Sequence, residues 1–195
     1  MKLPLRSSSI IFTAIAACAL ALQPLAAKPN LDQVEISVGR LLEEGHYTHQ
    51  PLNDAVSQKF LKTYLELLDF SHLFFTQQDV DALTAKYGNS LDDDILLGNL
   101  KPAYEIYDLY QKRVDDRVAK VKEELNKPFD FTTNATIELN RQKAPWPKDQ
   151  AAADTMWHLR IENELLQEKL SEHPIDPGPK VVARRYERLM RNVHE

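Results

Sequence analysis

The chain has 195 residues, of which 43% are hydrophobic and 27% are charged, and its formal net charge at pH 7 is −5. This composition is typical of a folded globular protein and not of a disordered chain. The length suits one domain with a sizeable core.

The first residues have the layout of a secretory signal peptide. Lys2 and Arg6 precede an uncharged apolar run over residues 10–22, and small residues follow at Ala26 and Ala27. The run is shorter than a membrane-spanning helix requires. We therefore predict cleavage after Ala27 and export of the remaining chain to the periplasm.

Cys18 lies inside that apolar run and leaves a second interpretation open. The segment "IAAC" resembles a lipoprotein cleavage box, which would attach a lipid to Cys18. The following "ALAL" stays apolar where a lipoprotein normally turns polar, so a cleaved signal peptide over residues 1–27 is favoured over a lipid anchor. Membrane contact is expected only through that signal peptide or that lipid.

The exported part, residues 28–195, is more acidic than the whole chain and has no cysteine. Residues 1–27 contain Lys2 and Arg6 but no acidic residue, so their removal changes the net charge from −5 to −7. A disulfide within the exported part is therefore excluded. A broad basic surface for nucleic acid is not expected.

Helical periodicity begins directly after the signal peptide. A first helix is indicated by apolar residues at three- and four-residue spacing, which are Leu31, Val34, Val38, Leu41 and Leu42. Because this spacing places them on one side of a helix, we predict a buried stripe. The helix is expected to end near Gly45.

A second helix is predicted over residues 54–69. Its apolar side is expected at Phe60, Tyr64, Leu67 and Leu68, widened by Leu61 and Leu65. The stretch "TQQD" from Thr76 to Asp79 then places an acid at the third helical position after an N-cap threonine, which predicts a short helix ending near Gly88. A further short turn is expected around residues 91–97.

Three longer helices are predicted after residue 100. The first runs through "LKPAYEIYDLYQKRVDDRVAKVKEELNKP", stops at Pro128 and has about 26 residues, or roughly 40 Å. The second is predicted from Asp149 to Leu170 around Trp157, and the last from Lys180. Because the sequence stops inside that last helix without a cap, we expect it to be the front part of a longer protein.

A proline-rich segment, "NRQKAPWPKD" over residues 140–149, interrupts the helices. Proline fixes φ, removes a backbone donor and restrains the preceding residue, so Pro145, Trp146 and Pro147 are predicted to form a stiff structural joint between two helices. No internal repeat or strand-period segment is present. The sequence therefore predicts an all-α, irregular multi-helix domain of about six helices.

The histidine pair in "HYTH", His46 and His49, is the one candidate metal site. Histidines three residues apart can bind one zinc ion, and Glu43, Glu44 and His72 are conceivable further ligands. However, the first helix breaks just before the pair, and neither an HExxH motif nor a cysteine set accompanies it. Exposed loop histidines are therefore the favoured interpretation.

Other candidate sites are weaker still. Ser71 and His72 are adjacent, and neighbouring side chains do not face each other as a nucleophile and its base must. "LDDDI" lacks the alternating oxygen ligands of a calcium loop, and Tyr104, Tyr107 and Tyr110 have a spacing more typical of a core than of a ligand platform. No glycine-rich phosphate loop occurs. We predict no catalytic residue, no cofactor and no metal.

Five segments together resemble a known family. They are "YLELLDFSHLFFTQQDV" from Tyr64, "YDLYQKR" from Tyr107, "KPFDF" from Lys127, "LNRQKAPWPKD" from Leu139 and "ARRYERL" from Ala183. In this order they are similar to the N-terminal helical region of tail-specific proteases, which are exported bacterial carboxy-terminal processing serine peptidases. The resemblance covers nearly everything after residue 27.

The resemblance implies a helical scaffold that packs on a protease core, shapes the access of substrate polypeptides and offers a docking face to an adaptor lipoprotein. In that family a PDZ module and a serine–lysine core follow, and neither is matched here. Residues 28–195 are therefore expected to be a noncatalytic N-terminal domain, truncated before both modules. The alternative is a self-standing periplasmic protein-binding module that recruits or regulates a protease in trans.

Overall fold

The computed structural model describes residues 30–45, 47, 51–171 and 176–195, and the regular elements in these ranges are all helical. The helices in chain order are α1 (Leu31–Arg40), which continues into a π-helical turn (Leu41–Gly45), α2 (Asp54–Leu68), α3 (Gln77–Tyr87), α4 (Leu91–Leu97), α5 (Lys101–Glu124), α6 (Gln150–Lys169) and α7 (Gly178–His194). The all-α prediction is confirmed. Within the described ranges there are seven helices where about six were expected, because residues 91–97 form a helix of their own.

Three predictions lie outside the described ranges. They are the signal peptide over residues 1–27, the lipid on Cys18 and the metal site at His46 and His49. In the described ranges, no helix combines the length and the apolar character that crossing a bilayer requires.

Local capping fixes the starts of two helices. α3 begins with a capping box, in which the Thr76 hydroxyl accepts from the Asp79 N–H at 3.2 Å and the Asp79 carboxylate accepts from the Thr76 N–H at 2.9 Å. At the start of α6 the Asp149 carboxylate accepts from the Ala152 N–H at 2.9 Å. Each cap satisfies amides that the first helical turn leaves without partners. The helix starts predicted at Thr76 and Asp149 are confirmed.

The core forms around α5, which packs against α6 and α7. Its buried apolar residues share one face and are Ile106, Tyr110, Val114, Val118 and Val121. Opposite them lie the buried side chains Ala153, Trp157, Ile161, Leu165, Val182 and Tyr186. Complete burial of one large aliphatic side chain is worth about 1.5–3 kcal/mol, so this contact fixes the long helix against the two that follow.

The buried side of α2 differs in part from the predicted one. Leu61 and Leu65 are 2% and 1% exposed, whereas Phe60 and Leu67 are 37% and 74% exposed. Ser57 completes the buried row, and its hydroxyl hydrogen-bonds to backbone groups at the end of α3 and the start of α4. These bonds hold the row from Ser57 to Leu65 against the neighbouring helices, which leaves Phe60 and Leu67 toward solvent.

The predicted buried stripe on α1 is exposed to solvent, so that prediction is wrong. We call its four spaced residues the α1 seam, and their exposed fractions are 52% for Leu31, 48% for Val34, 49% for Val38 and 67% for Leu41. The tyrosine series of α5 shows a similar departure, because Tyr104 is 54% exposed while Tyr110 is buried.

Two glycines explain why α1 packs with its other side. Gly39 is buried against α4, where a Cβ atom would lie 2.9 Å from the Ile95 side chain. Gly98 ends α4 with a φ of 71°, and a Cβ there would lie 2.9 Å from the Asp32 carbonyl oxygen. Glycine permits both the left-handed φ and the close backbone approach. α1 is therefore held through its Gly39 side, and the α1 seam faces away from α4.

Candidate functional site

One buried carboxylate organises the turn between α2 and α3. Asp69 is 2% exposed and accepts hydrogen bonds from the backbone N–H groups of Leu73, Phe74 and Phe75 at 2.8, 3.0 and 3.0 Å. Buried amides are thereby satisfied without regular secondary structure. Burial raises the pKa of the Asp69 carboxyl, and the amides together with an indole N–H oppose that rise.

The proline-rich segment docks on this turn. The Trp146 indole N–H donates to the Asp69 carboxylate at 3.1 Å, and the Trp146 ring stacks on the imidazole of His72 with a centroid separation of 3.9 Å. The Gln77 N–H donates to the Pro147 carbonyl at 2.8 Å, which ties the segment to the first residue of α3. The segment therefore contacts the α2–α3 turn, and the bonded residues Trp146 and Asp69 are 77 positions apart in the sequence.

The three predicted joint residues differ in their surroundings. Pro145 is exposed, Trp146 is half-buried and Pro147 is buried. The Pro145 carbonyl accepts from the Arg141 guanidinium at 2.8 Å, so the outer side of the segment is also fixed by a hydrogen bond. Two prolines and bonds on both sides restrict the backbone at residues 144–147.

His72 lies inside this contact and has an unusual backbone. It is 8% exposed, and its φ of 49° falls in the left-handed region that non-glycine residues uncommonly adopt. Its Nδ1 lies within hydrogen-bond distance of the Ala144 carbonyl oxygen, so this nitrogen carries the proton and donates. The imidazole thus links the α2–α3 turn to Ala144, directly before Pro145. Among the described residues, no hydrogen bond joins the His72 ring to Ser71.

Trp157 packs on the other side of the same turn. It is 1% exposed, and its indole N–H donates to the Leu73 carbonyl at 2.8 Å. Its ring lies 5.6 Å from Phe74 and 5.3 Å from Tyr186 by centroid distance. The Arg117 guanidinium stands 5.5 Å from the ring centroid, which is a cation–π distance. One indole therefore joins the α2–α3 turn, α5, α6 and α7.

Two further charge pairs hold the helices around the turn. Arg113 on α5 donates to both oxygens of Asp79, at 3.0 and 2.6 Å. Burial alone would raise the pKa of the Asp79 carboxyl. The hydrogen bonds from Arg113 and Thr76 have the larger combined effect, so the pKa of Asp79 lies below its ordinary value. Arg117, 5% exposed, donates to Asp154 on α6 at 2.8 Å.

An open groove lies where the segment after α5 meets α6 and the start of α7. Its volume is about 640 Å³. We call it the apolar groove, and its apolar lining is formed by Leu125, Phe129, Phe131, Leu165, Pro177 and Pro179. The phenylalanine rings lie 6.4 Å apart at an interplanar angle of 21°. Nothing in the helical spacing of the sequence indicated this groove.

The described residues contain no group of three or more His, Cys, Asp or Glu side chains placed to hold a metal ion. The acidic stretch "LDDDI" starts α4, as predicted from the affinity of carboxylates for a helix N-terminus.

Comparison with known proteins identifies the family. Residues 38–195 match the family described as the tail specific protease N-terminal domain. Over 208 residues, the chain is 30% identical to a protein named tail-specific protease from Haemophilus influenzae strain Rd, with 99% of this chain and 30% of that protein covered. The chain therefore spans less than a third of the length of that curated relative. By this match, it belongs to the tail-specific protease family and corresponds to the family's N-terminal domain.

Proposed function

We propose that this chain is the noncatalytic N-terminal scaffold of an exported bacterial tail-specific serine protease. In that role it shapes the access of substrate polypeptides and docks the protease core and an adaptor lipoprotein. The family match over residues 38–195 supports the domain assignment. The signal-peptide layout of residues 1–27 supports export to the periplasm.

The observation that carries the docking role is the exposure of the α1 seam. Four large apolar side chains on one side of a helix are about half exposed or more. Their spacing of three, four and three residues is the pattern that packs against a second helix. Contiguous exposed apolar surface of this kind marks interaction sites. The rest of the full-length enzyme is the partner that we propose for this seam.

The chain alone is expected to cleave no polypeptide, because the proposed role assigns the chemistry to other parts of the enzyme. The measurement is mass spectrometry of an unfolded substrate protein with an apolar carboxyl terminus after incubation with the purified chain. The full-length relative from Haemophilus influenzae serves as the active control. Peptidase activity that stays with the chain through two further chromatography steps would contradict the proposal.

Substitution in the α1 seam is expected to alter association and leave stability nearly unchanged. Val38→Lys and Leu41→Lys should each change the free energy of unfolding by no more than about 0.5 kcal/mol, because both side chains already face water. Self-association, measured by light scattering, should fall. The matched control is Leu61→Lys at a site that is 2% exposed, where unfolding is expected. Equal destabilisation at all three positions would show that the seam belongs to the core.

A further inference from the structure

Another open groove lies along the proline-rich segment, beside the start of α6. Its volume is about 470 Å³. We call it the Trp146 groove, and its apolar lining includes Trp146, Pro147 and Met156. This volume and an apolar lining are typical of a binding site. Because the groove is open to solvent, it suits a segment of a longer chain better than a fully enclosed small molecule.

The aromatic part of the Trp146 groove is held in place by the protein itself. The Trp146 indole N–H donates to Asp69 at 3.1 Å, and the ring stacks on His72. Prolines on both sides restrict the backbone of the same residue. A tryptophan fixed in this way loses little conformational freedom when a partner binds, and tryptophan is enriched among the residues that contribute most to protein interfaces. The groove therefore offers a rigid contact for one large apolar side chain.

Two cationic side chains, Arg141 and Lys148, line the same groove. Lys148 is exposed, and no carboxylate among the described residues pairs with it. Arg141 donates to the Pro145 carbonyl, and its Nε has no acceptor in the described part of the chain. The exposed Glu138 carboxylate lies 3.6 Å from Arg141 Nη1, which is longer than a hydrogen bond. Cations beside an apolar surface are complementary to a carboxylate beside an apolar side chain.

We infer that the Trp146 groove docks an extended internal segment of a partner protein, in which acidic residues stand next to a large apolar one. An anionic membrane surface is a poorer match, because membrane-binding patches carry roughly four or more clustered cations and this chain has a net charge of −5. This inference rests on the proposed function, because it names a face through which the scaffold docks another protein.

The test is fluorescence anisotropy with a labelled decapeptide that is blocked at both ends and carries glutamate, phenylalanine and glutamate at its centre. The blocked ends remove any charge of a chain terminus. Binding to the 195-residue chain is expected to weaken at least about tenfold when both glutamates are replaced by glutamine. Replacing the phenylalanine by serine should weaken it by a similar factor, because the contact with Trp146 is then lost.

A pair of neighbouring alanines supplies a matched control on the protein side. Ala152 lines the Trp146 groove, whereas Ala151 is exposed and lies outside it. Ala152→Glu should weaken peptide binding at least about tenfold, because it places a carboxylate and extra volume in the groove. Ala151→Glu adds the same charge and should leave binding unchanged. Both residues lie in the first turn of α6, where an added carboxylate is compatible with the helix.

A second pair of variants tests the cationic side of the groove. Lys148→Gln should weaken binding of the glutamate peptide by about threefold, the effect of one exposed charge. Lys143→Gln removes an exposed lysine of the same segment outside the groove and should have no effect. Neither lysine change should alter binding of the glutamine peptide.

Four results would overturn the inference. They are no peptide binding up to about 1 mM, equal binding of the glutamate and glutamine peptides, equal effects of Ala151→Glu and Ala152→Glu, and preferential binding of phosphatidylglycerol vesicles. Circular dichroism shows whether each variant is folded. The peptidase assay separates the two proposals. Cleavage by the chain contradicts the scaffold role, whereas absence of peptide binding in an inactive chain contradicts the groove assignment alone.

Discussion

Replacing Trp157 with alanine is expected to lower the free energy of unfolding by about 3–5 kcal/mol, the range for removing a buried tryptophan. The side chain is 1% exposed, and its truncation would leave a cavity between Phe74 and Tyr186. The Leu73 carbonyl would also lose its indole donor. Since a domain of this size has a total stability of roughly 5–15 kcal/mol, the loss should be visible as a large shift of the urea midpoint.

Two further variants show which part of Trp157 stabilises the fold. Trp157→Phe keeps most of the apolar ring and removes the N–H group, so a smaller loss of about 1–2 kcal/mol is expected. Leu170→Ala, at a position that is 67% exposed, should change stability by less than about 0.5 kcal/mol. Urea denaturation followed by circular dichroism at 222 nm measures all three. If Trp157→Ala lowered the free energy of unfolding by less than about 1 kcal/mol, Trp157 would not have the central structural role that its contacts indicate.

The helices could be predicted from the sequence because their signals are local. The capping box at Thr76 and Asp79 depends on residues three positions apart, and the buried row of α5 repeats every three or four residues. Periodicity alone, however, shows that a helix has an apolar side and not what covers that side. On α1 the close contacts at Gly39 and Gly98 set the orientation of the helix, and the predicted apolar side is left about half exposed.

The candidate site was less accessible to sequence analysis because its parts are distant along the chain. Trp146 was predicted as a joint residue from its flanking prolines, and its partner Asp69 had no recognisable pattern. The apolar groove likewise combines Phe129 with Leu165 and Pro177, which meet only after α6 and α7 have packed. Residue spacing predicts neighbours within one helix, and contacts such as these depend on the tertiary fold.

Removing the Asp69 carboxylate is expected to be the second most damaging change, with Asp69→Ala costing about 3 kcal/mol or more. The carboxylate accepts from three backbone amides and from the Trp146 indole, and alanine would leave these donors buried without partners. Asp108→Ala removes an exposed aspartate from the middle of α5 and should cost less than about 0.5 kcal/mol.

Asp69→Asn separates the loss of hydrogen-bond acceptors from the loss of volume. The amide group keeps one acceptor oxygen, and its NH₂ must then face either the Leu73 N–H or the donors on the other carboxylate oxygen. A donor facing a donor is unfavourable, so we expect about 2 kcal/mol of destabilisation. A loss below about 0.5 kcal/mol for asparagine would show that the carboxylate does not organise the turn.

A double-mutant cycle tests whether Asp69 holds the proline-rich segment through Trp146. Trp146→Phe keeps a ring that can stack on His72 and removes the indole N–H, so it should cost less in the Asp69→Ala background than in the parent chain. The expected coupling is about 1–2 kcal/mol, as for other residues in direct hydrogen-bond contact. If the two changes add without coupling, the stacking on His72 and the Gln77–Pro147 hydrogen bond must hold the segment instead. The stiffness predicted for Pro145, Trp146 and Pro147 would then come from the prolines and the stacked ring, and the buried carboxylate would serve the α2–α3 turn alone.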